Sequence, residues 1–373
     1  MENNVIKPIR NSNIELFRII MMIFIIIHHY IVNSDVLKTI SSMELNPNTF
    51  TLFALGSGGK IIIDCFILIT GYFSCTSDIK LKKWLNLLFQ CAFYAIVINS
   101  LFLCFSYNPL GVERLYRGFY PIFIQLSTSG ESFLAVFLIL LLLAPFLNKL
   151  IKILSKKEFS ILLLILIFVY SFLSTFILLQ NPVTKIWSFH NNWDAIGWYC
   201  TVYLIGSYIR LYFCEKLDSF KFGLYSSIIC LVLIAVSIWG CGQFKHIYNY
   251  HFINFGHKTL AIASAISFFI FFKNLKIPTN KFINTLASAT LGVLIIHANS
   301  GTMRHLLWHD IFKCTDKIFL PPMVTVFSIF AECIVVYCVC VIIALLVNNF
   351  ITKPLFNMLE TKFPKIMNYK LYD

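Results

Sequence analysis

The first long apolar stretch holds four ionisable residues that lipid disfavours: Glu15, Arg18, His28 and His29. A charge at the centre of a membrane helix costs about 2.5–3.5 kcal/mol on insertion scales, so each needs a reason. At 100° per residue, Arg18 and His29 differ by only about 20° around the axis; Glu15 lies about 60° from Arg18, and His28 about 80°. Glu15, Arg18 and His29 therefore share one stripe, and His28 stands off it. Arg18 and His29 are about 16 Å apart along the axis. A guanidinium can hold phosphate or carboxylate, and an imidazole can move a proton near neutral pH. A plainer reading is an i,i+3 ion pair between Glu15 and Arg18, with the histidines at a helix interface. That pair leaves His29 unexplained.

Other polar residues recur in apolar surroundings. His297 ends the run Leu291-Gly292-Val293-Leu294-Ile295-Ile296, Glu131 and Asp194 each open an apolar segment, Asp64 sits within the second segment and Glu332 within the last. Each has a local alternative. Asp64 can pair with Lys60 at i,i+4, His297 can be interfacial, and Glu131 and Asp194 can be N-terminal helix residues favoured by the dipole.

The elements that carry these residues are membrane helices. Of 373 residues 58% are hydrophobic and 13% charged, and the mean hydropathy is +0.79. A soluble domain carries about 25% charged residues; this chain cannot clothe itself for water. Ten segments approach the roughly 20 apolar residues that a spanning helix needs: 12–33, 52–74, 85–106, 131–151, 159–180, 195–213, 222–241, 253–273, 283–300 and 322–350. The expected fold is all-α and polytopic, one membrane domain over residues 1–373 with no separate soluble part and an outer loop at 107–130. The N-terminal stretch lacks a small-residue cleavage site and reads as a retained first helix. Net charge is +13, but the basic residues sit in short connections, as membrane topology requires, and do not imply nucleic acid. Connections on one side hold 19 Lys and Arg, those on the other 10, with Arg18 inside the first helix. This excess places both termini in the cytoplasm. The 12 cysteines have no metal or disulfide spacing and read as small buried hydrophobes.

The run Asn13-Ile14-Glu15-Leu16-Phe17-Arg18, followed after ten residues by His29, resembles the signature of the acyltransferase 3 family. So do Gly59-Lys60-Ile61-Ile62-Ile63-Asp64 through Gly71-Tyr72-Phe73, with Lys82 and Lys83 after it, and Leu142-Leu143-Ala144-Pro145-Phe146-Leu147-Asn148. Tyr203-Leu204-Ile205-Gly206-Ser207-Tyr208-Ile209-Arg210 and the Leu-Gly-x-x-x-Ile-His ending at His297 complete the match. These lie in order over nearly the whole chain. The chain departs from the family in having Lys82 and Lys83 where relatives often have Arg, and Ser132 where an aromatic residue commonly follows the acidic one.

The resemblance implies an O-acyltransferase of the cell membrane. Its donor would be a cytoplasmic acyl-coenzyme A, most often acetyl, and its acceptor a sugar hydroxyl of a surface polysaccharide or its lipid-linked precursor. On that reading Arg18, Lys82, Lys83 and Arg210 meet the coenzyme phosphates. His29, Glu131 and His297 serve the chemistry, His29 as general base or transient acyl carrier, and Glu15 and Asp64 orient. No metal is called for. A glycan polymerase, expected to have a larger outer loop, and a glycolipid transporter or flippase, expected to show internal symmetry and broken helices, are the alternatives. The charge count makes a direct prediction. A cysteine placed at Lys156 should react with an impermeant label only after cells are opened, whereas cysteines in 34–50 or 301–321 should react in intact cells. Labelling at 156 from outside would reverse the orientation.

Overall fold

A computed structural model describes residues 11–120, 122, 133–177, 194–243 and 249–370, and in these the regular structure is helical. In chain order the helices are α1 Ser12–Val32, α2 Val36–Ser41, α3 Pro47–Gly56, α4 Gly59–Ser74, α5 Leu81–Cys104 and α6 Val112–Arg117. Then come α7 Phe133–Ile153, α8 Lys156–Ile167, α9 Asp194–Tyr212, α10 Phe220–Gly242 and α11 Thr259–Lys273. The last group is α12 Lys281–Ser288, α13 Thr290–His297, α14 Gly301–His305, α15 Pro322–Val347, α16 Lys353–Lys362 and α17 Pro364–Met367. α8, α14 and α15 run on into π-helical turns at Phe168–Ile177, Leu306–Ile311 and Asn348–Thr352.

Among the described residues seven helical segments are long and apolar enough to cross a bilayer, and eight if one sharply bent pair counts as a span. The expected ten is therefore not reached: α9 is not among the seven, and α11 has only 15 residues, short of the roughly 20 needed. The bent pair is 281–297 with 301–311, at 95°. What reads as a spanning segment at 283–300 plus a loop at 301–321 is a helix interrupted at Ala289, a right-angle bend after His297, and a second helical arm. The second segment begins earlier than expected, at Pro47, where Asn46 closes a capping box with Thr49, and it breaks at Ser57-Gly58 between α3 and α4. The eighth begins at Thr259 and the last continues to Lys362. Residues 107–130 include the short helix α6.

α1 is the axis of the bundle. It packs against α3, α4, α11, α12, α13 and α15, and Phe17, Ile26, Ile27, Tyr30 and Ile31 have no exposed surface. A helix walled on most sides by protein can carry Glu15, Arg18 and two histidines because none need face lipid. α4 and α9 form a close pair, as do α10 and α11. Lipid gives no hydrophobic drive for helix association, so close backbone contact at small residues substitutes for it. Gly71 lies against the backbone of Tyr203, and Gly206 against the Leu68 carbonyl and the Tyr72 amide. Tyr203 OH donates to Asn148 Oδ1 at 2.8 Å, and Asn148 Nδ2 to the Ser74 carbonyl at 2.8 Å, which ties α7 to both.

The C-terminal arm returns across the start of α5. The amide of Leu81 donates to the Tyr369 carbonyl at 2.9 Å, Lys80 Nζ to Asn368 Oδ1 at 3.0 Å, and Lys82 pairs with Glu360 at 2.6 Å. Lys370, 2.8 Å from Asp78, holds that carboxyl below the usual carboxylate range. A Cβ at Gly206 would meet backbone, which cannot give way, while Gly240 has open space around it. Gly206→Ala should lower stability by about 1–3 kcal/mol, the usual cost of overpacking, and Gly240→Ala should not. Thermal unfolding in detergent would compare them; equal midpoints would show that α4 and α9 do not pack through this glycine.

Candidate functional site

The charged end and the imidazole end of α1 are held by different neighbours. Near the N-terminus of α1, Arg18 Nη1 lies 3.3 Å from Glu15 Oε1, so the i,i+3 ion pair read from the sequence is present. The Glu15 side chain is 8% exposed and that of Arg18 33%. Lys83 is exposed and within electrostatic reach of Arg18. Asn13 Nδ2 donates to the carbonyls of Phe272 and Lys273 at 3.1 and 2.7 Å, bringing the end of α11 to the same place. There the Tyr72 ring lies between two cations: Arg210, 5.0 Å from its centroid with Nη1 3.1 Å from the hydroxyl, and Lys273 at 5.5 Å. Lys273 is also ion-paired with Asp218, whose other oxygen accepts from Asn274 at 2.8 Å. Lys82 belongs to a different contact, its ion pair with Glu360.

Toward the other end of α1, two histidines from distant parts of the chain meet. His29 Nδ1 lies 3.0 Å from His297 Nε2, across 268 positions of sequence. His297 is fully buried, whereas His29 keeps partial exposure. The contacts fix the protons. His297 Nδ1 is 2.6 Å from the Val293 carbonyl, which only accepts, so that nitrogen carries a hydrogen. In the neutral ring Nε2 of His297 is then an acceptor, and His29 Nδ1 must donate to it. The remaining nitrogen, Nε2 of His29, keeps its lone pair. Such a nitrogen can take a proton, or attack an electrophile itself, while its ring is held by the other nitrogen. His28 is used differently. Its Nδ1 donates to the Gly56 carbonyl at 2.6 Å and its ring lies on Gly59, so it braces α1 against the break between α3 and α4.

The other residues singled out from the sequence divide. Asp64 is fully buried, and Oδ1 accepts from Trp198 Nε1 of α9 at 3.0 Å, with the charge of Lys60 also within electrostatic reach. Glu332 pairs with Lys317 at 2.7 Å. Asp194 is the first residue of α9, and Glu131 lies outside the described residues. Three residues not picked from the sequence also stand near these groups: Lys273 at the charged end, Asn299 two residues after His297, and Asn99, which bonds the Asn299 side chain. Lys273 had a signal, a cation in the last turn of an apolar helix. The asparagines had none, since nothing in their local sequence separates them from ordinary helix and turn polar residues. Among the described residues no three His, Cys, Asp or Glu side chains come together to hold a metal.

A family model described as an acyltransferase domain, that of acyltransferase 3, matches residues 11–347. No curated protein and no solved structure matches the chain. The proton assignment can be checked by itself. With histidine rings labelled with nitrogen-15, at neutral pH, His29 should show a protonated Nδ1 and a bare Nε2, and His297→Ala should remove that preference. The opposite tautomer in the unmodified protein would show that the bond runs the other way.

Proposed function

This chain belongs to the acyltransferase 3 family, and we propose that it moves an acyl group, most often acetyl, from acyl-coenzyme A to a sugar hydroxyl of a surface polysaccharide or its lipid-linked precursor. That it is an acyltransferase with a multi-pass membrane helix bundle follows from the family and the apolar helices. The donor, the acceptor, the cell membrane as its location, and the orientation with both termini in the cytoplasm are our reading. So is the treatment of residues 1–373 as one membrane domain.

The observation that carries it is the His29–His297 pair at the opposite end of α1 from Arg18. Arg18, Lys83, Arg210 and Lys273 supply positive charge at the mouth that the charge count assigns to the cytoplasm, and phosphates are its natural partners. Lys82, shared with Glu360, lies at the rim. Between Arg18 and His29 the axial distance is about 16 Å, a span suited to an extended pantetheine arm. His29 Nε2 takes the proton of the acceptor hydroxyl as its oxygen attacks the thioester carbonyl, then returns that proton to the departing thiolate. Direct acylation of Nε2, with transfer in a second step, uses the same atom. Glu15 holds Arg18 in place, and Asp64 fixes α9 through Trp198. The broken helix at 281–311 is also a transporter feature, but a member of an acyltransferase family has chemistry to perform.

Purified protein with labelled acetyl-coenzyme A and a glycan acceptor tests the reading. His29→Ala should cost about 10²–10⁴-fold in transfer, the range a general base contributes, in protein that remains monodisperse in detergent. His28→Ala, which removes a brace and not the reactive nitrogen, should cost far less. An essential His28 beside a dispensable His29 would place the chemistry on the wrong face of α1.

A further inference from the structure

Attack on a thioester carbonyl puts negative charge on the carbonyl oxygen, and the proton-moving residues do nothing for that charge. A donor aimed at the developing oxyanion commonly supplies the largest single contribution to such a reaction. The segment just after His297 offers one. Asn299 stands two residues beyond His297, at the 95° bend between α13 and α14, and it keeps partial exposure while His297 is buried.

Its amide is oriented from outside. Asn99, on α5, has no exposed surface. Its Nδ2 donates to the Ala95 carbonyl at 2.7 Å and to the Gly118 carbonyl at 3.0 Å. Two backbone carbonyls thus determine which side of the Asn99 amide is the amino group. The same Nδ2, which shares its two hydrogens among three acceptors, lies 3.1 Å from Asn299 Oδ1; since it can only donate, Asn299 turns its oxygen to Asn99. The amino group of Asn299 then points away from this clamp. Among the described residues it has no hydrogen-bond partner. A polar amide fixed by one atom, with both N–H groups unspent two residues from His297, is the arrangement an oxyanion site requires.

We propose that Asn299 Nδ2 donates the hydrogen bond that stabilises the tetrahedral oxyanion, and that Asn99 is the positioning residue that aims it. The inference rests on the acyl-transfer reading above. The hydroxyl oxygen bonds to the thioester carbon as His29 Nε2 takes its proton. The carbonyl π pair moves to oxygen, where Asn299 meets it. Collapse reforms the carbonyl and breaks the carbon–sulfur bond, and the thiolate receives the proton from His29.

Asn299→Asp keeps the shape and the oxygen that Asn99 holds, but replaces the donor with an anion. It should lower kcat about 10²–10³-fold, the loss found on removing one oxyanion donor, with the KM for acetyl-coenzyme A unchanged. Asn299→Ala, a second variant that introduces no charge, should show the same loss and the same unchanged KM. Asn99→Ala should lower kcat by a smaller factor, about 10-fold, because the donor remains but is no longer aimed. Wild-type kcat in folded Asn299→Asp or Asn299→Ala, with His29→Ala inactive, would overturn this inference and leave the acyl-transfer site standing. Activity retained in His29→Ala would instead remove the reading beneath it.

Discussion

An imidazole buried in a lipid-embedded bundle has to give its N–H to something, and the Val293 carbonyl takes that of His297 at 2.6 Å. An unsatisfied polar group in such surroundings costs several kcal/mol. The bond therefore decides the tautomer of His297, which decides that of His29, which leaves one basic nitrogen available in the pair. No carboxylate is needed to set this order. The helix that provides the carbonyl also ends at His297, so the backbone fixing the proton and the break presenting the ring belong to the same short segment.

The polar stripe on the first helix was legible because α1 is regular and unbroken for 21 residues; angular bookkeeping holds over that length. Arg18 and His29 were visible for this reason, and the Glu15–Arg18 pair with them. The partner of His29 was not, since no local pattern joins residues 268 positions apart. Asp64 shows the same limit: spacing pointed to Lys60, which is within electrostatic reach, but nothing local announced the hydrogen bond from Trp198 on another helix. Helix ends were misread where hydropathy continues through a break. Ser57-Gly58 and Ala289 interrupt helices inside apolar runs, and 301–311 is helical within what reads as a loop. A bilayer count made from apolar length alone cannot separate a straight span from a bent pair.

The two ends of α1 use polarity differently. At the charged end, cations keep exposed surface and share their partners: Tyr72 serves Arg210 and Lys273, and Asp218 serves Lys273 and Asn274. At the histidine end the hydrogen bonds are directional, built from imidazole, amide and backbone carbonyl, with Arg304 and Lys60 within electrostatic reach of the pair. On the proposed reading the first arrangement would tolerate small displacements of an anionic donor, because attraction between charges depends weakly on angle. The second does not, because hydrogen bonds weaken steeply as they bend. On that reading one end captures the donor and the other aligns the reacting groups.

The arm that crosses the start of α5 bears on how the bundle is completed during synthesis. The first amides of a helix lack partners within it, and that of Leu81 finds its acceptor on Tyr369. Lys80 likewise waits for Asn368, 288 positions later. A chain inserted from its N-terminus therefore places α5 in the membrane long before the groups that close its first turn have been made. Until then that turn relies on water or lipid headgroups. Arrival of residues 360–370 converts a frayed entry into a fastened one, so the distal segment is the closing step of assembly and not a passive tail.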